Sequence, residues 1–300
     1  IGFHVGPDDG DTDPVLLQWM AALDAAGIPF VLKSVDNAEP ILQAQEMMAQ
    51  SGVPHVLIYR RSGTFWDVPR YDLPPEEAAV IHWERHRDAF PPELDPARVW
   101  LETVNEVDKH RAEWLGLFAM KTAELAMNDG FNWAAFGWSS GEPEPYHWRG
   151  PAMLDFLRLA AEHPDRIAIA LHEYSLNATD ISTIYPWRVG RFQLLFEAVD
   201  EARIPRPTVL ITEWGWTHEV VPAPEVALPQ IAWANWLYSA YPEVQGAAIW
   251  YLGVGSQFGD IAALTRLLIE PVHAYTLHNY FAAEPGWGRV NTIPFMPPDW

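Results

Sequence analysis

Residues 98–106 read RVWLETVNE. Val99, Trp100, Leu101, Thr103 and Val104 are β-branched, aromatic or aliphatic, the side chains that suit a strand. Yet the run holds Glu102 and ends on Asn105 and Glu106. A carboxylate costs free energy in an apolar sheet unless it is paired, hydrogen-bonded or neutralised. Glu102 and Glu106 share one parity along the run, so both are expected to point inward. Glu102 then reads as a structural acid, paired to an inward arginine or to Lys33.

Similar apolar runs lie on either side. Upstream are IGFHVG (1–6), IPFVLKSVD (28–36) and VPHVLIYR (53–60). Downstream are FNWAAFGW (131–138), RIAIALHEY (166–174), PTVLITEW (207–214) and GAAIWYLG (246–253). Continuous Val, Ile, Leu and aromatic runs suit strands buried on both faces of a parallel sheet. Segments with helical spacing separate them, such as HRAEWLGLFAMKTAELAMNDG (110–130) and VGRFQLLFEAVDEARIP (189–205). Several end on Gly or Pro, as helices do; a last helix is expected near 259–282. Strands alternating with helices imply a parallel sheet. Eight such units imply one closed (β/α)8 TIM barrel over residues 1–300, with the Pro-rich end, 283–300, a surface strap. Any active site then belongs at the C-terminal ends of the strands. An open doubly wound sheet is the alternative. It would want a Gly-rich phosphate loop after the first strand, and GPDDGDTDP (6–14) lacks that pattern and carries acids that repel phosphate. Asp13 or Thr12 there should cap a helix that has Pro14 at its first position.

Composition narrows the partners. Nineteen Lys and Arg stand against 40 Asp and Glu in 300 residues, a formal net charge of −21. A field of that sign repels nucleic acid and anionic membrane but not neutral sugars. No apolar run is long enough to span a bilayer. With no cysteine, disulfides, thiolate metal sites and a cysteine nucleophile are excluded. The chain opens inside a strand-like run without a charged leader, which suggests a mature or excised domain. Secretion and a monomeric state are the expectations. His4, His55 and His172 all fall on strand-like runs, but no His-x-His or H-E-x-x-H pattern occurs, so neither a metal nor another cofactor is expected.

Taken at the strand ends alone, the sequence presents Asn105-Glu106 on the fourth run, His172-Glu173-Tyr174 on the sixth, Glu213 on the seventh and Trp250 on the eighth. In a barrel these ends converge, so carboxylates on strands four and seven face each other across the mouth. That is the arrangement of an acid and a nucleophile about a glycosidic bond. WLETVNE, LHEY, VLITEWGW and GAAIWYLG together resemble the retaining glycoside hydrolases of clan A, the 4/7 barrel superfamily. The resemblance covers the whole chain. It implies a β-glycosidase, endo-acting on an oligo- or polysaccharide, that needs no cofactor.

By that resemblance Glu106 is the general acid/base and Glu213 the nucleophile. Asn105 binds the sugar 2-hydroxyl, Tyr174 holds the nucleophile and His172 sits near the acid/base. Trp250 is the apolar platform under the cleaved sugar. An early-strand arginine, Arg60 or Arg61, completes the set, with Arg60 the choice. Two departures are that Val107 stands where the family often has Pro, and that the arginine is ambiguous. Trp138, with Trp66, Trp148, Trp187 and Trp216, is expected to lie in rim loops, some of them as sugar platforms. Burial and a second carboxylate should both push the Glu106 pKa up, keeping it protonated. The competing readings are a carbohydrate-binding barrel without catalysis and a metal-dependent barrel enzyme.

Overall fold

Each of the eight runs falls on one strand. The strands are β1 (Gly2–Val5), β2 (Val31–Val35), β3 (Val56–Arg60), β4 (Val99–Glu102), β5 (Asn132–Trp138), β6 (Ile167–Tyr174), β7 (Thr208–Gly215) and β8 (Val244–Leu252), with β7 ending one residue beyond its run and β8 starting two residues before its own. All pair in parallel and in chain order, and β8 closes on β1. The computed structural model describes residues 1–6, 12–176, 180–217, 220–253 and 259–279; the expected strap, 283–300, lies outside them. The fold is thus a single-domain (β/α)8 barrel.

Ten α-helices are found among the described residues: α1 (Pro14–Ala25), α2 (Glu39–Ser51), α3 (Thr64–Asp67), α4 (Pro75–Asp88), α5 (Ala112–Asn128), α6 (Pro151–Glu162), α7 (Phe192–Glu201), α8 (Pro224–Ser239), α9 (Gly259–Arg266) and α10 (Ile269–His278). The start of α1 is built as its sequence suggests. Asp13 is the N-cap, its Oδ1 accepts from Val15 N at 2.8 Å, and Pro14 opens the helix, where a missing N–H costs nothing. The last expected helix is two, because the chain turns after Arg266.

Two-residue periodicity divides the sheet's faces. Outward residues such as Phe3, Leu57, Leu101 and Ile169 join the large core beneath the helices. Inward residues Val31, Ile58, Ala134, Ala168, Ala170, Leu210 and Ala248 form a separate apolar cluster inside the barrel. Four of these seven are alanines, small enough to share the narrow lumen. Advancing two residues from Val31, Ile58, Trp100 and Ala170 reaches Lys33, Arg60, Glu102 and His172. The apolar plug is therefore topped, toward the strand C-termini, by a layer of ionisable groups.

Irregular pairing breaks the period in β5, β7 and β8, and the breaks in β7 and β5 shape the mouth. Leu171 pairs with Ile211 but His172 pairs with Glu213, and β7 is also one residue long against β8. That bulge, at Thr212, places Glu213 inward where alternation from Leu210 would place Thr212. In β5, Ala135 pairs with Ile169 but Trp138 with Leu171. Phe136 and Gly137 have φ of 80° and 51° there, and the bulge turns Trp138 outward.

Candidate active site

Lys33 has no exposed surface. Its Nζ lies 3.0 Å from Glu102 Oε1 and 3.1 Å from Glu213 Oε1. Glu213 is the most heavily contacted carboxylate of the mouth. Tyr174 Oη donates to its Oε2 at 2.6 Å, and His172 Nδ1 is 3.6 Å from the same oxygen. Arg60 Nη2 and His4 Nε2 stand 3.9 Å and 3.6 Å from Oε1. The expected pairing of Glu102 with Lys33 is present. Lys33 also reaches Glu213, a contact that Glu102's parity alone did not foretell.

Glu106 is reached differently. β4 ends at Glu102, so the parity argument made for Glu106 fails. A turn with φ of 48° at Glu106 carries it to the mouth, and its N–H donates to Gly137 O at 2.8 Å. Gly137 makes room for that turn: a Cβ there would meet Glu102 Oε1 and Val104 O, each at 3.0 Å. Glu106 Oε1 accepts from Ser139 Oγ at 3.1 Å and lies 3.5 Å from His172 Nδ1, with half its side chain exposed. His172 thus joins the two carboxylates, and its two contacts bound the distance between these oxygens at about 7 Å.

Asn105 lies beside Glu106, its Oδ1 buried and without a hydrogen-bond partner among the described residues. Its N–H donates to Asp67 O at 3.2 Å. Asp67 Oδ1 also accepts from Arg60 Nη1 at 2.7 Å. Arg60 is therefore the inward arginine, while Arg61 lies outside with its guanidinium 4.5 Å from the Trp66 ring centre. Trp250 is partly buried, edge to face with Tyr174 at 5.9 Å. Asp67 and Ser139 carried no sequence signal, since Asp67 ends the short α3 and Ser139 follows β5, positions that only the fold brings to the mouth.

The loop tryptophans sort by burial. Trp138 is fully buried and packs edge to face on Trp148, 5.9 Å away. Its expected place in substrate binding is corrected, because the β5 bulge turns it into the helical shell. Trp148 and Trp216 are equally buried, whereas Trp187 is 64% exposed. The three strand histidines do not converge either. His55 bonds Asp24 at 2.9 Å and stacks on Phe30, leaving only His4 and His172 at the mouth. Among the described residues, no group of three or more His, Cys, Asp or Glu is placed to hold a metal ion.

The charges follow from this packing. Burial alone pushes Glu102 up, but Lys33, His172 and Arg60 outweigh it and bring the carboxyl down to about 2. Glu213 is likewise opposed by burial, yet His172 and Lys33 hold it well below the usual carboxylate range. Burial pushes His172 down, but Glu213, Glu102 and Glu106 overcome that and raise it to about 9. Burial dominates at His4, which falls to about 3 and stays neutral. The expected rise at Glu106 is reversed. The charged His172 ring beside it lowers its pKa, and burial offsets this only in part. The expectation counted the second carboxylate and omitted the imidazolium between the two.

Fold and mouth together define a (β/α)8 barrel with an ionised polar cup at the C-terminal ends of its strands. No family model matches the chain, and no curated protein matches it. Solved structures with a similar fold include a triple-mutant endo-β-1,4-glucanase from Xanthomonas axonopodis pv. citri, at 13% identity and TM-score 0.52, covering 93% of this chain and 100% of that one. Others are a monomeric β-xylosidase from Caulobacter crescentus, at 11% identity and TM-score 0.43, and a family 39 glycoside hydrolase from Bacteroides cellulosilyticus, at 12% and 0.48. The xylosidase match covers 83% of this chain and 59% of that one, and the family 39 match 87% and 58%. At 13% identity the likeness to the glucanase bears on the barrel fold alone.

Proposed function

We propose that this protein is a retaining glycoside hydrolase that cleaves β-glycosidic bonds of an oligo- or polysaccharide. The observation that carries the reading is the pair Glu106 and Glu213, joined through His172 across the mouth of the barrel. Retaining enzymes hold their carboxyl groups roughly 5–5.5 Å apart and inverting ones roughly 6.5–9.5 Å. The upper bound of about 7 Å between Glu106 Oε1 and Glu213 Oε2 admits the retaining spacing.

Glu213 suits the nucleophile's part. It is ionised, nearly buried and fixed at both oxygens, by Lys33 on one and Tyr174 on the other. Attack at the anomeric carbon forms a glycosyl-enzyme and removes the carboxylate's charge. Glu106, half exposed, faces the space that the leaving group and then water must use. It shares a proton with His172: imidazolium beside carboxylate in the resting site, neutral ring beside carboxylic acid when the leaving oxygen is protonated. Such a pair titrates as a unit. Asn105 Oδ1 is free to accept from a sugar hydroxyl without adding negative charge, and Trp250 offers a face at the same mouth. Endo action on a longer chain is part of the same proposal, with the exposed Trp187, in the segment after β6, its candidate platform for a further sugar unit.

The test is a panel of β-glucans, mannans, xylans and galactans, with the first-formed product read by proton NMR. The expected result is release of reducing sugar as the β anomer. An α anomer appearing first overturns retention, and no release from any β-glycan or aryl β-glycoside overturns the hydrolase reading.

A further inference from the structure

Glu102 has no exposed surface and lies below the two carboxylates that face the mouth. Its Oε1 is 3.0 Å from Lys33 Nζ and 4.0 Å from His172 Nε2. Lys33 continues to Glu213 at 3.1 Å, and Glu213 returns to His172 Nδ1 at 3.6 Å. The four side chains form a closed ring of alternating charge, with Glu106 attached to it at His172.

Both ring nitrogens of His172 stand at ion-pair distances from carboxylates, Nε2 at 4.0 Å from Glu102 and Nδ1 at 3.5 and 3.6 Å from Glu106 and Glu213. The ring's charge is set by what stands around it. Glu102 and Glu106 approach from β4 and the turn after it, Glu213 from β7 and Lys33 from β2. Arg60 is paired to Asp67, His4 is neutral, and the Tyr174 phenol is uncharged. In the proposed reaction Glu213 loses its charge on glycosylation, and Glu106 cycles between acid and base. Of the three carboxylates, Glu102 alone keeps its charge at every step.

We propose that Glu102 is a positioning residue, the constant anion that holds His172 as an imidazolium in the resting site and sustains its proton affinity while the charges of Glu213 and Glu106 change. The proton that passes through Glu106 to the leaving oxygen departs when the glycosyl-enzyme forms, and Glu106 regains one from the attacking water; Glu102 keeps His172 ready to receive it while Glu213 is uncharged. Lys33 plays the complementary part, neutralising Glu102 enough for it to be buried and steadying Glu213 on its other side. The catalytic consequence rests on the glycosidase reading; the electrostatic one does not.

The direct test is an NMR titration of the His172 ring. In the native protein the ring should stay charged up to about pH 9. Glu102→Gln keeps the shape and an acceptor for Lys33 but removes the charge, and should lower the proton affinity of His172 about tenfold or more, one pH unit. Glu102→Asp should restore most of it. The alkaline limb of kcat/KM should move with the ring, a shift that a packing role alone cannot produce. A second protein keeps the proposal testable should Glu102→Gln fail to fold. In Glu106→Gln/Glu213→Gln, Glu102 is the one carboxylate left beside His172, and the ring should remain protonated at pH 7. A neutral ring there, or a native-like titration in Glu102→Gln, overturns the proposal. A moved titration in a protein that hydrolyses no glycoside upholds the ring and removes the hydrolase reading instead.

Discussion

Glu102 and Glu173 are both fully buried glutamates near the mouth end of the barrel wall, on β4 and β6. One faces the lumen and the other the helical shell. Glu102 meets whole charges, Lys33 and His172. Glu173 is hydrogen-bonded to dipoles, the N–H groups of Gly190 and Phe192 at the start of α7, at 2.7 and 3.2 Å, and Tyr238 Oη at 2.7 Å, while the Arg191 guanidinium acts on it without an ion-pair contact. Three donors and a helix N-terminus favour the carboxylate form, yet burial wins and raises Glu173 to about 7, while Glu102 falls to about 2. Burial is the same for both, so what separates them is ion-pair contact against hydrogen-bonded dipoles.

The two groups therefore bend the pH dependence of stability in opposite directions. For Glu102 the folded pKa lies below the unfolded value, so its contribution is present above about pH 4.3 and is lost as pH falls toward 2. For Glu173 the folded pKa lies above the unfolded value, so the unfolded chain binds fewer protons between about pH 4.3 and 7 and stability falls as pH rises through that window.

The largest effect expected on the lumen side is in catalysis. Glu213→Ala should lower kcat by at least about 10⁴-fold, since no glycosyl-enzyme can form; added azide should restore turnover and yield an α-glycosyl azide. Near-native turnover in that variant removes Glu213 from the mechanism. Glu106→Gln should cost about 10²–10⁴-fold on natural glycans and far less in the glycosylation step on aryl glycosides whose leaving groups need no proton. It should also abolish the alkaline limb, which for the native Glu106–His172 pair is expected near the His172 value of about 9. Equal loss on both substrates breaks the assignment of Glu106 as the acid.

Stability measurements sharpen the contrast itself. Lys33→Met leaves Glu102 a buried charge without its main partner and should cost about 3–5 kcal/mol in denaturant unfolding at pH 7. Glu173→Gln should flatten the fall in stability between about pH 4.3 and 7, an effect on the order of 3 kcal/mol across the window. A Glu173→Gln protein with the native slope shows that these dipoles and Arg191 suffice to keep the wall carboxylate ionised. The smallest effect expected is at Trp250→Ala, a rise in KM of about tenfold with kcat changed less, as loss of a binding face predicts.

Much of the barrel is legible in the sequence because buried parallel strands are continuous apolar runs, and eight of them alternate with helical periods. A cation beside Glu102 is legible for a related reason, since a lumenal carboxylate demands one, but the choice between Lys33 and an inward arginine is made by the fold. The charge on His172 is not legible, since it depends on three carboxylates drawn from two distant strands and a turn. Arg60 and Arg61 are adjacent in sequence, and only the register of β3 places one in the lumen and the other over Trp66.

The sequence by itself determined the eight-fold alternation, the strand ends on which carboxylates gather, and the net negative charge of the chain. Tertiary structure alone decided which of those residues face one another. An extra residue at Thr212 brings Glu213 into the lumen beside His172. An extra residue near Phe136 and Gly137 sends Trp138 out to the shell and leaves a backbone carbonyl to receive the turn at Glu106. A strand's side chains alternate with a period of two, so one inserted residue reverses every face beyond it. Nothing in the local composition marks where that insertion falls; it is set by pairing with strands distant in the chain.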